Sequence, residues 1–111
     1  MPVVHVTTSL TKAEVPEGFV KRFSSVLAET LEKDLARITV VINCDALVCN
    51  GGDDSPFLLM YIHTIDRFLA GKNAEYTQKI SEFVSRETKL PGNRIQIIYT
   101  DLSPDMVGKG K

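Results

Sequence analysis

Pro2 follows Met1 directly and heads the apolar run Val3-Val4-His5-Val6. Removal of Met1 turns Pro2 into a free secondary amine. An exposed α-amino group titrates at roughly 7.7–8.0, so dry surroundings or a neighbouring cation need shift it only slightly before the neutral, basic form dominates at pH 7. Such an amine can take a proton from carbon. The alternative is that a small second residue merely permits loss of Met1. Other candidates for chemistry are sparse. His5, His63, Cys44 and Cys49 show no recognisable metal-ligand spacing, so neither a metal nor another cofactor is expected. His63 closes an apolar stretch, where a satisfied core or edge histidine is the plain reading, and it receives no role.

The elements that would position Pro2 follow from periodicity. Residues 3–8 read as a strand, and Phe19, Val20, Phe23, Val26, Leu27 and Leu31 recur with helical spacing. Residues 38–43 are β-branched and read as a second strand. A loop rich in breakers, Asn50-Gly51-Gly52-Asp53-Asp54-Ser55-Pro56, separates this half from the next. After it, 57–62 is a continuous apolar strand, Tyr76, Ile80, Phe83 and Val84 mark a second amphipathic helix, and 95–99 is a further strand. The second half therefore repeats the β-α-β order of the first. Arg37-Ile38-Thr39-Val40-Val41-Ile42 against Arg94-Ile95-Gln96-Ile97-Ile98-Tyr99 is the nearest internal echo.

Two β-α-β units in 111 residues predict a single α/β (α+β) domain over residues 1–111, with a four-stranded mixed sheet and both helices on one face. The other sheet face then has no cover. Because 57–62 is apolar at consecutive positions, both faces ask for burial, and self-association is the expected remedy.

Composition narrows the partners. Thirteen basic against fourteen acidic residues leave a net charge of -1 with no charge block, so nucleic acid and anionic membranes are not expected partners. The same balance disfavours a ferredoxin-like RNA-binding module, as does the lack of aromatics interleaved with basic residues. No apolar run approaches the ~20 residues of a membrane span, and no secretion signal of the usual kind is evident. Two cysteines make no disulfide framework, and a soluble protein made in a reducing compartment is expected.

Several pieces taken together carry a resemblance: Pro2, Val15-Pro16-Glu17-Gly18-Phe19, Lys33, Gly51-Gly52 with Pro56, His63-Thr64-Ile65, Asn73 with Tyr76, Arg94, and Val107-Gly108. In this order and at these spacings the chain resembles the macrophage migration inhibitory factor and D-dopachrome tautomerase family over almost its whole length. The resemblance implies a homotrimer whose three sheets enclose a channel, with a pocket around the N-terminal proline at each subunit interface. It implies keto-enol tautomerisation of small aromatic keto acids such as phenylpyruvate, or of dopachrome-like compounds. Proton transfer beside a carbonyl needs a neutral base and positive charge where the enolate or carboxylate develops. By resemblance Pro2 is that base and Lys33 the cation, while Thr64 and Ile65 line the pocket. From its residue type alone, Lys33 reads as a solvated lysine favoured by a helix C-terminus, and Ile65 as core.

Departures from the family pattern affect recognition. Gln96 and Ile98 stand where macrophage migration inhibitory factors usually carry a tyrosine and an asparagine that reach the pocket from the neighbouring subunit; Gln96 keeps a hydrogen-bonding group and Ile98 does not. Arg37 replaces a tyrosine at the pocket mouth and reads either as a bidentate carboxylate grip or as a solvated arginine on a turn. After Val107, a family pocket position, the chain lacks the aromatic residue and short strand usual in the family, which opens the pocket rim. Phe57 and Met60 replace a Cys-x-x-Cys pair, so no thiol-disulfide chemistry is implied. The leading expectation is a proline-dependent tautomerase. The second is a cytokine-like signalling protein with a vestigial pocket and a cell-surface receptor. The expected localisation is cytoplasmic, with non-classical secretion for the signalling reading.

Overall fold

The computed structural model describes residues 2–65 and 71–110, so the expected removal of Met1 concerns a residue outside the described ones. Strand β1 spans Val3–Thr8, helix α1 Phe19–Leu31, β2 Thr39–Asn43, β3 Leu58–Ile65, α2 Asn73–Thr88 and β4 Ile95–Leu102. The four strands form one mixed sheet in the order β2-β1-β3-β4. Pairing is parallel within each half, β1 with β2 and β3 with β4, and antiparallel where β1 meets β3 at the centre. The duplicated β-α-β architecture expected from periodicity is therefore present.

Alternation along the central strands decides what is dry. Val4, Val6 and Thr8 of β1 and Leu58, Met60, Ile62 and Thr64 of β3 are fully buried on the helix side. Against them α1 presents Phe19, Phe23, Leu27 and Leu31, and α2 presents Tyr76, Ile80, Phe83 and Val84. Residues three and four apart share one helix face, which is why these spacings make a continuous stripe. Phe19, Phe23 and Phe83 stack where the helices meet, with ring centroids 5.4–5.8 Å apart. Val20, read as part of the stripe, lies at its edge and is exposed. Gly18 precedes α1 at φ +78°, a left-handed conformation that favours glycine, and a Cβ there would also displace the flexible tip of Arg22, 2.8 Å away.

Two expectations need correction. First, β3 and β4 run three residues beyond the stretches 57–62 and 95–99, because their parallel ladder continues to Ile65↔Leu102. His63 is therefore inside its strand rather than closing it. Second, Ile65 is only half-buried rather than core. The expected uncovered sheet face is present: the helices cover one side of β3, while Leu59, Tyr61, His63 and Ile65 face the other, with Tyr61 exposed. No helix among the described residues is long and apolar enough to cross a membrane.

Candidate active site

The central antiparallel register brings distant residues together. Val3 pairs with His63, so one step further along the same ladder Pro2 comes opposite Thr64. On its other flank the Pro2 carbonyl accepts the Thr39 amide at 3.1 Å, which fixes the start of β1 against the start of β2. Pro2 and Thr64 are both buried, and their strand parity directs them toward the helices. Helix α1 stops over this end of the sheet. Glu32 takes the left-handed conformation at φ 54°, and the Lys33 amide returns to the Ala28 carbonyl at 3.0 Å. That turn aims the Lys33 side chain at the end of β3, where its Nζ donates to the Ile65 carbonyl at 3.3 Å. This uses one of its three ammonium protons, and among the described residues it meets no second acceptor.

Pro2, Lys33, Thr64 and Ile65 thus meet at one end of the fold. Arg37 ends the 3-10 turn Leu35–Arg37, two residues before the amide that holds Pro2, so it belongs to the same end. Its side chain is 70% exposed, with Asp34 only loosely paired at 4.0 Å. Gln96 and Ile98 lie elsewhere. They sit on the open side of edge strand β4 beside Leu59 and Tyr61, about 17 Å and 10 Å along the sheet from the Thr64 row at roughly 3.4 Å per residue. Val107 closes the turn Pro104–Met106 beyond β4, whose last residue pairs with Ile65, so the tail leaves from the Lys33 end. A concavity of about 900 Å³ lies at the other end of α1, among Val15, Pro16, Phe19, Val20 and Ile42, and takes in none of these residues.

A sequence model of the macrophage migration inhibitory factor family matches residues 1–111. The chain belongs to the macrophage migration inhibitory factor family. MIF-like protein mif-2 of Caenorhabditis elegans is 34% identical over 97% of this chain and 90% of its own length. D-dopachrome decarboxylase-B of Xenopus laevis is 28% identical over 98% and 93%. The solved structure of the macrophage migration inhibitory factor from Trichinella spiralis shares the fold, with a TM-score of 0.92 over 96% of this chain and 95% of that one at 23% identity.

Within this macrophage migration inhibitory factor fold, one important side chain escaped the reading of the sequence as more than a family marker. Arg94, 9% exposed, donates to the carbonyls of Ser55 (2.7 Å), Pro56 (3.1 Å) and Asp53 (3.3 Å), and lies 4.8 Å over the Phe57 ring. Asp53 Oδ2 is 3.8 Å from the same guanidinium, and its carboxyl is held below the usual range chiefly by the Ser55 amide. A signal was available: a tight loop with several carbonyls and few internal donors must borrow donors from another element. Tyr99 is a second case. Its hydroxyl reaches Thr77 at 2.7 Å under α2, and burial pushes its pKa up.

Proposed function

We propose that the chain is a keto-enol tautomerase of small aromatic keto acids or dopachrome-like compounds, acting as a homotrimer with Pro2 as acid-base catalyst. The observation that carries this reading is the convergence of buried Pro2 with the Lys33 ammonium at one end of the sheet. With Met1 removed, the prolyl nitrogen takes the proton from the carbon beside the ketone. Lys33 offsets the negative charge of the carboxylate and the growing enolate, and the prolyl ammonium then gives its proton to the enolate oxygen, which returns the base to its neutral form. Thr64 and Ile65 form the wall behind the reacting carbon. Desolvation and the neighbouring ammonium both favour the uncharged amine. Gln96 and Ile98, remote within one chain, serve the pocket of the next subunit, and the apolar Ile98 favours an unsubstituted ring over a hydroxyphenyl one.

The test uses mature protein whose N-terminus has been verified by mass spectrometry. Pro2→Gly is expected to lower kcat/KM for phenylpyruvate by about 100-fold or more, the usual worth of a positioned acid-base group. Lys33→Ala is expected to raise KM and lower kcat together. Equal rates for Pro2→Gly and parent, or a retained Met1, would refute the assignment.

A second reading is favoured by the exposed, apolar Ile98, which leaves no side-chain hydrogen-bonding group at that family pocket position. In it the chain acts outside cells as a receptor-binding immunomodulator with a weak pocket. Lack of turnover with any aromatic enol, together with the protein's appearance outside cells, would favour this reading over the first.

A further inference from the structure

We propose that His5 and His63 form a bis-imidazole site for a borderline transition-metal dication of the Cu²⁺, Ni²⁺ and Zn²⁺ class on the open face of the sheet. The two histidines are 58 positions apart in sequence and read as unrelated there. The central ladder makes them neighbours: Val3 pairs with His63 and His5 with Tyr61, so the two histidines are diagonal cross-strand neighbours on one face. Their ring centroids are 6.3 Å apart with planes at 80°. Metal–nitrogen bonds of about 2.0–2.1 Å put each ring centre about 3 Å from a shared ion, so the observed 6.3 Å is the outer limit, met with the nitrogens on opposite sides of the ion, and side-chain rotation that draws the rings about 1 Å closer gives a tetrahedral angle.

The surroundings select the class of ion. By strand parity the open face carries Val3, Thr7, Val41, Leu59, Tyr61 and Ile98 around the pair. None is charged. Among the described residues of these strands, no lysine or arginine on this face repels a cation, and no carboxylate on it offers the oxygen ligands that Mg²⁺ and Ca²⁺ require. Imidazole nitrogen suits copper, nickel and zinc, with copper bound tightest. His5 is exposed and His63 half-buried, so an ion can reach the rings from solvent. No group of three or more His, Cys, Asp or Glu side chains suited to a metal occurs among the described residues. One chain therefore supplies two ligands. Water completes the sphere in a single copy, and the same pair from a neighbouring copy completes it where open faces assemble. That last step rests on the proposed trimer, whereas the pair itself does not. The site is distinct from Pro2 and Lys33, which lie toward the helices.

The experiment uses metal-free protein carrying Cys44→Ser and Cys49→Ser to silence the two free thiols. Titration calorimetry with Cu²⁺ and Zn²⁺ is expected to show binding, and Mg²⁺ none. His5→Gln or His63→Gln should each weaken binding by about tenfold or more, since each removes one of two protein ligands, and the double variant should abolish it. Circular dichroism checks that these variants fold. Electron paramagnetic resonance of the Cu²⁺ form needs no histidine variant and should show at least two coordinated nitrogens. Unchanged affinity in either single variant, fewer than two nitrogens, or no binding at millimolar metal would overturn the proposal. Absence of tautomerase activity in the parent protein, with metal binding intact, would count against the proline mechanism alone.

Discussion

Arg37 and Arg94 hold equivalent places in the two β-α-β halves: each ends a 3-10 turn that leads into an outer strand of the sheet. Their environments are opposite. Arg94 is almost dry and grips the backbone entering β3, whereas Arg37 stands in solvent beside the backbone entering β1. The difference lies in what precedes the central strand. Before β3 runs a loop whose carbonyls at Asp53, Ser55 and Pro56 need donors, and the arginine satisfies them. Before β1 stands Pro2, held by the Thr39 amide, and no loop of that kind occupies the arginine. Duplication thus places the same side chain twice, structural in one half and open to a ligand in the other. The proposed base and cation, Pro2 and Lys33, belong to the half that has no such loop to hold together, while Thr64 and Ile65 reach them from the other.

The sharpest way to break this comparison is Arg94→Ala. It removes three hydrogen bonds from a nearly buried guanidinium and the cation over Phe57, at an expected cost of about 3 kcal/mol. For a domain of this size the thermal midpoint should fall by more than about 10 °C. Arg94→Lys should recover only part of this, because an ammonium cannot reproduce the fork that meets these carbonyls. A midpoint unchanged in Arg94→Ala would mean that the loop needs no clamp, and the contrast would fail.

Arg37→Ala probes the other side with a smaller effect on stability. A side chain this exposed should change folding free energy by no more than about 0.5 kcal/mol. The informative readout is kinetic. If Arg37 grips a carboxylate, KM for an α-keto acid rises at least about threefold with kcat little changed, while a substrate ester lacking that charge is unaffected. Equal behaviour of acid and ester would assign Arg37 to solvent alone.

The halves also differ in how well they could be read. Both helices were legible because 3.6-residue stripes are local, and Phe19, Phe23, Leu27, Ile80 and Phe83 fall in the core as that period requires. Strand ends were not, because a strand stops where its partner stops: His63, Thr64 and Ile65 continue β3 only because β4 runs on to Leu102. Which residues of that apolar run face the helices was not legible, and the structure puts Leu58, Met60 and Ile62 against them and leaves Leu59 and Tyr61 on the open face. At the site, Pro2 suggested chemistry by itself, whereas Lys33, Thr64 and Ile65 were recognisable only as family positions. Their meeting depends on the register of β1 on β3, which no local pattern encodes. The partnership of Arg94 with backbone carbonyls leaves no trace in side-chain spacing, and neither does the adjacency of His5 and His63.

The smallest predicted effect concerns the contact that joins the halves across their helices. Arg22 of α1 meets Glu87 of α2 through Nη2–Oε1 at 2.6 Å and Nε–Oε2 at 3.3 Å. The hydrogen-bonded guanidinium holds the Glu87 carboxyl below its usual range, partly opposed by desolvation. A folded-state value below the unfolded one means that the pair stabilises the fold above the unfolded pKa, and that this contribution fades as pH falls through the lowered folded value. Glu87→Gln should therefore shift the urea midpoint slightly downward at pH 7, by far less than Arg94→Ala. The gap should shrink as pH falls below the ordinary carboxylate range, and high salt at pH 7 should narrow it as well. A gap that persists undiminished in acid would mean that packing of the Glu87 stem between the helices, rather than its charge, ties the two halves together.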